Sequence, residues 1–267
     1  MQLRSPGKIN LFLHIIGRRR DGYHLLETAF QYIDLCDTLT FSPHTDITAD
    51  FSPELPLPAD NNLIIKAARL LQSHTHTTQG VHIHCDKQLP LGGGLGGGSS
   101  NAATTLWGLN KFWNLQLSQD TLLTLGLQLG ADVPFFLFGH AAFGQGIGEQ
   151  LTPYAFPERI ALLIAPPIHC STIELYKHAN LTRNTPALPT LALPKHPHND
   201  FLKLLIELYP TLEETYLWLQ NQTPAFLSGS GACIFGFFET YSAAQQAQAR
   251  CPWQSWVVRT QNTSPLF

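Results

Sequence analysis

The sequence predicts an α+β fold in which helices and strands do not alternate strictly. Helix-like and strand-like segments follow one another irregularly, without the regular βαβ repetition of a parallel α/β protein. The chain has 267 residues, 44% of them apolar, and at about 150 residues per domain this length suggests one or two domains, of which we favour two. A proline-rich stretch at 153–157 is followed at once by an apolar strand-like segment. We therefore expect one domain at 1–154 and a second at 155–267.

The first domain contains both strand and helix patterns. Segments rich in Ile, Leu and Phe predict strands, because such residues favour extended backbone. Leu63, Ala67 and Leu70 have helical spacing, whereas apolar and polar residues alternate over 81–85, as in a strand. The predicted elements are strands at 8–16, 32–41 and 81–85, helices at 62–73 and 119–129, a strand, glycine loop and helix over 89–113, a short helix opened by Asp132, and a strand pair over 140–152.

The second domain begins with an apolar strand and contains a long irregular segment. Four prolines at 183–199 exclude a regular helix there, because proline lacks the backbone donor that a helix needs. The predicted elements are a strand at 160–165, the loop at 183–199, a helix over 201–219, a loop and strand over 228–238, a helix at 242–250 and a strand at 255–259.

Charge and cysteine content exclude several classes of function. Charged residues make up 13% of the chain and the net charge is -3, so no broad basic surface is available for nucleic acid. The five cysteines form no CxxC pair, which favours reduced thiols over a disulfide framework or zinc site. No apolar run approaches the roughly 18 to 20 residues of a membrane span. We expect a cytoplasmic protein without a nucleic-acid or membrane partner.

The most unusual segment is the glycine loop at 92–100, with the sequence GGGLGGGSS. Glycine occurs where the backbone must reach positive φ or approach a ligand closely, and N–H groups converging at a helix N-terminus bind phosphate. We expect Ser99 and Ser100 at the cap of the following helix. Because a strand precedes the loop and an apolar-periodic helix follows it, a phosphate-binding loop is favoured over the alternative, a flexible linker.

The glycine loop differs from the common phosphate-binding motifs. A Walker A motif has Gly-Lys followed by Ser or Thr, and this loop contains no lysine. A dinucleotide motif requires a strand before an acidic residue about twenty positions further on, and no clear strand precedes Asp120. The HRD and DFG segments of protein kinases do not occur in the chain. The loop alone therefore indicates phosphate binding without specifying the reaction.

Four segments together resemble one known family, the GHMP kinases. They are SPGKINL at 5–11, PLGGGLGGGSSNAA at 90–103, GADVPFF at 130–136 and LSGSGAC at 227–233. Their order is that of the family, and they span nearly the whole chain. The resemblance implies an N-terminal domain like a ribosomal-protein domain, a ferredoxin-like C-terminal domain, and an active site in the cleft between them.

Two further features resemble the branch of this family that phosphorylates the 2-hydroxyl of diphosphocytidyl-methylerythritol, on the non-mevalonate route to isoprenoids. The loop continues as GGGSSN at 96–101, where other members usually have GLGSSAA, and the block RRDGYH lies at 19–24. Mevalonate and homoserine kinases lack this block. The alternatives are another GHMP kinase acting on mevalonate, homoserine or a sugar, a catalytically inactive ligand-binding relative, or a nucleic-acid-binding module.

The resemblance implies catalytic roles for Lys8 and Asp132. Asp132 would accept the proton of the acceptor hydroxyl, and Lys8 would orient that hydroxyl and offset negative charge on the phosphoryl group. Asn10 would contact the erythritol end of the substrate. The plainer alternatives are a helix cap for Asp132, a solvated surface position for Lys8 and a local backbone bond for Asn10.

The resemblance also implies a binding site for the cytosine ring. Tyr23 would stack on the ring, His24 would form hydrogen bonds with its edge, and Tyr176 would cover its other face. Without the family match, Tyr23 would be expected in the core and His24 on the surface.

ATP would be the phosphoryl donor, with Mg²⁺ held by its phosphates and by Ser100. The residues expected to contact ATP are Pro90, Gly92, Gly93, Gly94, Leu95, Gly96, Gly97, Gly98, Ser99, Ser100, Asn101, Asn62 and Lys87. His82 and His84 share a strand face but lack a fixed partner carboxylate or cysteine, so we expect no metal there. The expected partner is the small-molecule substrate, and the expected state is a monomer or weak homodimer.

Overall fold

The structure is a computed structural model that describes residues 1–55 and 62–267. Its strands are β1 (Gln2–Arg18), β2 (His24–Ser42), β3 (Ile47–Ser52), β4 (Val81–Asp86), β5 (Ala142–Gln145), β6 (Gln150–Pro153), β7 (Ile160–Ala165), β8 (Ala225–Leu227), β9 (Ile234–Phe238) and β10 (Gln254–Gln261). Its helices are α1 (Leu63–Thr75), α2 (Gly97–Phe112), α3 (Gln119–Leu129), α4 (Val133–Phe138), α5 (Thr172–Lys177), α6 (Leu202–Leu208), α7 (Pro210–Gln220) and α8 (Tyr241–Gln248). This mixture confirms the α+β class. None of the helices in the described ranges has the length and apolar character needed to cross a membrane.

One hydrogen-bonded sheet extends through both halves of the chain, in the order β3-β4-β2-β10-β7-β9-β8. β1 pairs with β2 along most of its length, and the hairpin of β5 and β6 joins the sheet through β2. β10 connects the halves, because it pairs with β7 and also with β2, through Thr260 with Ile33 and Gln261 with Tyr32. Backbone hydrogen bonds therefore hold the two halves together in addition to side-chain packing.

Each half has an apolar core, and a third cluster joins the two. In the first half, α1 to α4 pack on the sheet around Tyr32 and Phe135, whose ring centroids are 4.5 Å apart. In the second half, α6, α7 and α8 pack around Leu205 and Ile234. The third cluster packs Leu95 of the glycine loop against residues of β7 and β9. The glycine loop is thus anchored where the two halves meet.

Several predicted elements are confirmed. β4, α3 and β7 lie where the apolar patterns placed them, and α3 ends at Gly130. The proline-rich segment 183–198 forms neither helix nor strand. It is bound along β1, because Thr185 N donates to Ile15 O at 3.0 Å and Leu13 N donates to His198 O at 3.0 Å.

The ends of three elements differ from the prediction. β1 and β2 extend beyond 8–16 and 32–41, because their backbone pairing continues where the side-chain pattern becomes polar. The prediction that Ser99 and Ser100 cap α2 was wrong. Gly96 occupies the N-cap in the left-handed conformation, with φ of 70°, so both serines lie within the first turn.

Two segments of the second half were also predicted wrongly. The helix expected over 201–219 is divided at Tyr209, because Pro210 cannot donate its backbone N–H and clashes with the preceding turn. The strand expected over 228–238 begins only at Ile234, since Gly229 and Gly231 turn the chain with φ of 57° and 88°. β3, α5 and β8, of six, six and three residues, were not predicted.

Candidate active site

A cavity of about 780 Å³ lies between the two halves, a size that suits a small-molecule ligand. The predicted site residues that line it are Lys8, Asn10, Tyr23, His24, Lys87, Pro90, Gly92, Gly93, Gly94, Leu95, Gly96, Gly97, Gly98, Ser99, Asp132 and Tyr176. Three others, Asn62, Ser100 and Asn101, are not among the described residues that border this cavity. The fold thus brings together residues that are far apart in the sequence.

Lys8 is the buried cation of the cavity, with 2% of its surface exposed. Its Nζ donates a hydrogen bond to Asn10 Oδ1 at 2.5 Å and lies 3.5 Å from Asp132 Oδ2. Asn10 Nδ2 donates to Thr28 Oγ1 at 2.8 Å, and this hydroxyl donates to Phe12 O. Because Asn10 is itself held by Thr28, it keeps the ammonium group of Lys8 at the cavity.

Asp132 occupies the N-cap position of α4, but its side chain makes no capping hydrogen bond. About a third of that side chain is exposed, at 35%, and it borders the cavity next to Lys8. The alternative of a purely structural cap is therefore not supported. A carboxylate left without a capping bond and placed 3.5 Å from a buried ammonium group is available to accept a proton from a bound hydroxyl.

The glycine loop is held on both sides by backbone contacts. On one side, Ala232 N donates to Gly92 O and Cys233 N donates to Gly93 O, both at 3.1 Å. On the other side, Lys8 N donates to Leu95 O at 3.0 Å. The first N–H groups of α2, which have no partner within the helix, lie at the cavity and provide donors for phosphate.

Glycine is required at one position in particular. Gly94 has φ of 70°, and a Cβ there would collide with the carbonyl oxygen of Ser228. Ser228 Oγ also donates to Gly94 O at 3.0 Å. The segment 228–233 therefore forms the support on which the loop rests.

A buried carboxylate, Asp37, fixes the chain that leads into the loop. It is fully buried and accepts hydrogen bonds from Lys87 Nζ at 2.5 Å, Asn101 Nδ2 at 2.9 Å, Gln88 N at 2.8 Å and Leu89 N at 2.9 Å. A buried charge is stable only when it is paired and hydrogen-bonded, and these four donors satisfy that condition. Asp37 thus connects the strand β2, the segment before the loop and the helix after it.

The three predicted ATP contacts outside the cavity have structural partners instead. Asn62 caps α1, accepting from Ile64 N at 2.9 Å. Ser100 is fully buried and shares a hydrogen bond with Ser5 at 2.8 Å, and Asn101 donates to Ser5 and to Asp37. Contact of these three side chains with ATP stays a prediction, and each of them is engaged with another part of the protein here.

Metal ligands are sparse in the described part of the chain. It contains no group of three or more His, Cys, Asp or Glu side chains placed to hold a metal ion. His82 and His84 lie 3.4 Å and 2.9 Å from the exposed Asp50 and remain surface histidines. A divalent ion in the cavity would thus rely mainly on ligands brought by a nucleotide, because Asp21 and Asp132 are the two acidic residues among the described residues that border it.

At the other end of the cavity lies a group of aromatic side chains. His24 is almost buried, with 7% exposed, and its ring stacks on Tyr176 with centroids 4.9 Å apart. Tyr23, with 59% exposed, presents its ring to solvent and the cavity. Burial lowers the pKa of His24, and the positive charges of Arg183 and Arg18 lower it further. Burial and the two nearby cations thus both favour the neutral imidazole of His24.

Sequence reasoning missed Asp37, Thr28 and Arg183. Arg183 donates from Nε to His24 Nε2 at 3.0 Å. No motif marks Arg183, because it is the first residue of a proline-rich segment far along the chain. Asp37 is one of two aspartates in the strand predicted at 32–41, and nothing in that segment distinguishes it from Asp34, while Thr28 lies before the predicted start of the strand.

Comparisons with known proteins agree with this geometry. Models of the GHMP kinases N terminal domain and of the GHMP kinases C terminal domain match residues 62–140 and 180–252. A 4-diphosphocytidyl-2-C-methyl-D-erythritol kinase from Marinomonas sp. is 49% identical, over 99% of this chain and 88% of its own length. The protein of the same name from Aliivibrio fischeri is 46% identical, over 98% and 92%.

Solved structures extend the comparison to the fold. A crystal structure of 4-(cytidine 5'-diphospho)-2C-methyl-D-erythritol kinase has a TM-score of 0.85 at 32% identity, covering 98% of this chain and 100% of that chain. A mevalonate kinase has a TM-score of 0.70 at 16% identity, covering 98% and 99%, which is a likeness of fold alone.

Proposed function

The chain belongs to the GHMP kinase family, and we propose that it transfers the γ-phosphoryl group of ATP to the 2-hydroxyl of 4-diphosphocytidyl-2-C-methyl-D-erythritol. It is an ATP-dependent phosphotransferase with an alcohol as acceptor, in isoprenoid precursor biosynthesis. The observation that supports the proposal most directly is the position of Lys8 and Asp132 beside the glycine loop, in one cavity with Tyr23 and His24. The residues proposed for phosphoryl transfer and those proposed for nucleoside binding therefore line the same cavity.

The catalytic step needs an acceptor hydroxyl held in line with the γ-phosphate and stabilisation of the charge that moves. Asp132 accepts the hydroxyl proton as the new P–O bond forms. Lys8 orients the hydroxyl and offsets negative charge on the transferred group, and Asn10 holds the ammonium group in place while contacting the erythritol end. The N–H groups of the loop at 92–99 bind the phosphates of ATP and of the ADP that leaves.

The cytosine ring binds at the aromatic end of the cavity. Tyr23 stacks on one face of the ring, and the neutral His24 forms hydrogen bonds with its edge. Tyr176 already stacks on His24, so we assign it, together with His24, to one wall of this pocket rather than to an independent cover.

Mg²⁺ fits the site as an ion that arrives with ATP. Magnesium usually keeps several waters and uses one or two carboxylates plus substrate phosphates, which matches a cavity with Asp132 beside the loop. When bound, the ion neutralises charge on the β- and γ-phosphates. Ser100 is a poor candidate ligand, because its hydroxyl is buried against Ser5.

We also propose a division of the chain at 154/155, a cytoplasmic location, and a monomer or weak homodimer whose partner is its small-molecule substrate. The domain division is supported by the separate apolar cores and by family matches that end at 140 and begin at 180. The low charge content supports the lack of a nucleic-acid partner.

The direct test is ATP consumption with the diphosphocytidyl substrate, measured beside mevalonate and homoserine. We expect turnover with the first substrate and at most background rates with the other two. Turnover of mevalonate or homoserine in preference would replace the proposed substrate, and binding of ATP without turnover of any acceptor would indicate an inactive relative.

A further inference from the structure

The contact between Arg183 and His24 has a consequence for substrate choice. Resting on the proposed function, we propose that Arg183 fixes His24 as the tautomer with its proton on Nδ1, and thereby determines which pyrimidine the enzyme accepts. Arg183 is in this view a positioning residue that acts through His24, without touching the reacting atoms.

The direction of the hydrogen bond fixes the position of the histidine proton. Arg183 Nε lies 3.0 Å from His24 Nε2, and a guanidinium group can only donate. His24 Nε2 must therefore accept, so the single proton of the neutral ring is on Nδ1.

The guanidinium group of Arg183 is itself held rigidly. It donates to three further backbone carbonyls, those of Leu181 at 3.2 Å, Tyr176 at 2.8 Å and His178 at 3.0 Å. The stacking of Tyr176 on His24 fixes the plane of the imidazole. Both the position of the donor and the orientation of the acceptor are thus set by the fold before a ligand binds.

The remaining nitrogen of His24 is free to bind a ligand. Within residues 1–55 and 62–267, His24 Nδ1 has no hydrogen-bond partner, although the side chain borders the cavity. The two cations near the ring, Arg183 and Arg18, oppose a second proton on it. His24 therefore presents one donor, and no acceptor, to the base.

A donor-only group distinguishes cytosine from uracil at ring position N3. In cytosine, N3 is an acceptor and complements the Nδ1–H of His24. In uracil, N3 carries a proton that would point at this Nδ1–H, so two donors would oppose each other. An unpaired or opposed polar group in a buried site is costly, so a site built this way rejects the analogue. Freed from Arg183, the ring can move its proton to Nε2 and turn Nδ1 into an acceptor, which suits uracil N3–H.

The tautomer is tested first, in the parent protein, by ¹⁵N NMR of the histidine ring nitrogens. The resonances of His24 are assigned by their loss in His24→Asn. We expect a protonated Nδ1 and an unprotonated Nε2 between pH 7 and 8, above the usual pKa of histidine. A protonated Nε2 in the parent would overturn the proposal without any measurement of activity.

The effect on substrate choice is tested with Arg183→Met and Arg183→Lys. The ratio of kcat/KM for the cytidine substrate to that for its uridine analogue should fall about tenfold or more in Arg183→Met, the size expected for one mispaired buried group. Arg183→Lys retains a cationic donor group and should restore part of the ratio. The matched control is Lys195→Gln, which removes a cation from an exposed position of the same segment.

Each outcome has a distinct meaning. Equal losses for both substrates in Arg183→Met would indicate a merely structural role and overturn the proposal. A parent enzyme that prefers the uridine substrate would also overturn it, because Nδ1–H would then face O4 of uracil instead of N3 of cytosine. A parent that phosphorylates neither substrate refutes the proposed function instead, while the NMR result still decides the tautomer.

Discussion

The two ends of the cavity are built in different ways. At the proposed phosphate end, the backbone of the glycine loop lines the cavity, and its shape is fixed by backbone contacts to 228–233 and by the buried carboxylate of Asp37. At the proposed base end, side chains line the cavity from the turn before β2, from the first residue of β2 and from α5, and one long-range contact, between Arg183 and His24, fixes part of their arrangement.

We expect the phosphate end to be common to the kinases of this family and the base end to set the substrate preference of this chain. A mevalonate kinase with 16% identity still has the same fold, so the fold does not require this chain's particular side chains. Backbone N–H groups bind phosphate whatever the acceptor, whereas an aromatic ring and an imidazole edge suit one kind of base. Changes at the phosphate end should therefore impair every reaction of the enzyme, and changes at the base end should alter its substrate preference.

The largest effect is expected from Asp132→Asn. Loss of a positioned proton acceptor typically lowers the rate about 10² to 10⁴-fold, so kcat should fall by that factor while the affinity for ATP is retained. Steady-state kinetics with both substrates measure this, and Asp120→Asn, at an exposed position in the first turn of α3, is the control. A kcat within about threefold of that of the parent would contradict the catalytic role of Asp132 and indicate a structural one.

The next largest effect is expected from Asp37→Asn, which leaves the nearly buried ammonium group of Lys87 without a countercharge. Removing one partner of a buried ion pair typically costs about 3 to 5 kcal/mol, so the free energy of unfolding should fall by this order. Denaturant unfolding measures the loss, and Asp34→Asn on the same strand should cost less than about 1 kcal/mol. Equal losses in both variants would remove the special role of Asp37.

A third test at the phosphate end is Gly96→Val. Gly96 has φ of 70°, and its Cβ would lie 2.8 Å from the ring of Phe136. The strain of a β-branched residue there is of order 1 to 3 kcal/mol, so ATP should bind roughly ten- to a hundredfold more weakly. Calorimetric titration measures this, with Gly17→Val, at a strand position of ordinary φ, as the control. Unchanged affinity in a folded variant would place the phosphates elsewhere.

The smallest effect, and the most selective, is expected from Tyr23→Ala. Stacking on an aromatic ring contributes about 1 to 3 kcal/mol per base, so KM for the diphosphocytidyl substrate should rise roughly ten- to a hundredfold while KM for ATP is unchanged. Tyr241→Ala, an exposed tyrosine on α8, serves as the control. A parallel rise in both KM values would contradict the division between the two ends of the cavity.

The phosphate end was largely predictable from the sequence and the base end only in part. The six glycines within nine residues could be interpreted from the sequence alone, because positive φ and close backbone approach are requirements of single positions. Asn62 was assigned to ATP by resemblance, and Ser100 and Asn101 because they lie in the motif, yet the partners of Ser100 and Asn101 lie on the distant strands β1 and β2. Arg183 meets His24 across 159 positions of the chain, and no local pattern records that contact.

The pairing of β10 with both β2 and β7 has a consequence for how ligands enter and leave. Hinge closure requires that a few linking residues absorb the change between two rigid bodies. Here such a rotation would break the pairs of Thr260 with Ile33 and Gln261 with Tyr32. We therefore expect exchange of substrate and product to proceed by displacement of short segments such as α5, at a rate set by those segments and not by the opening of one domain against the other.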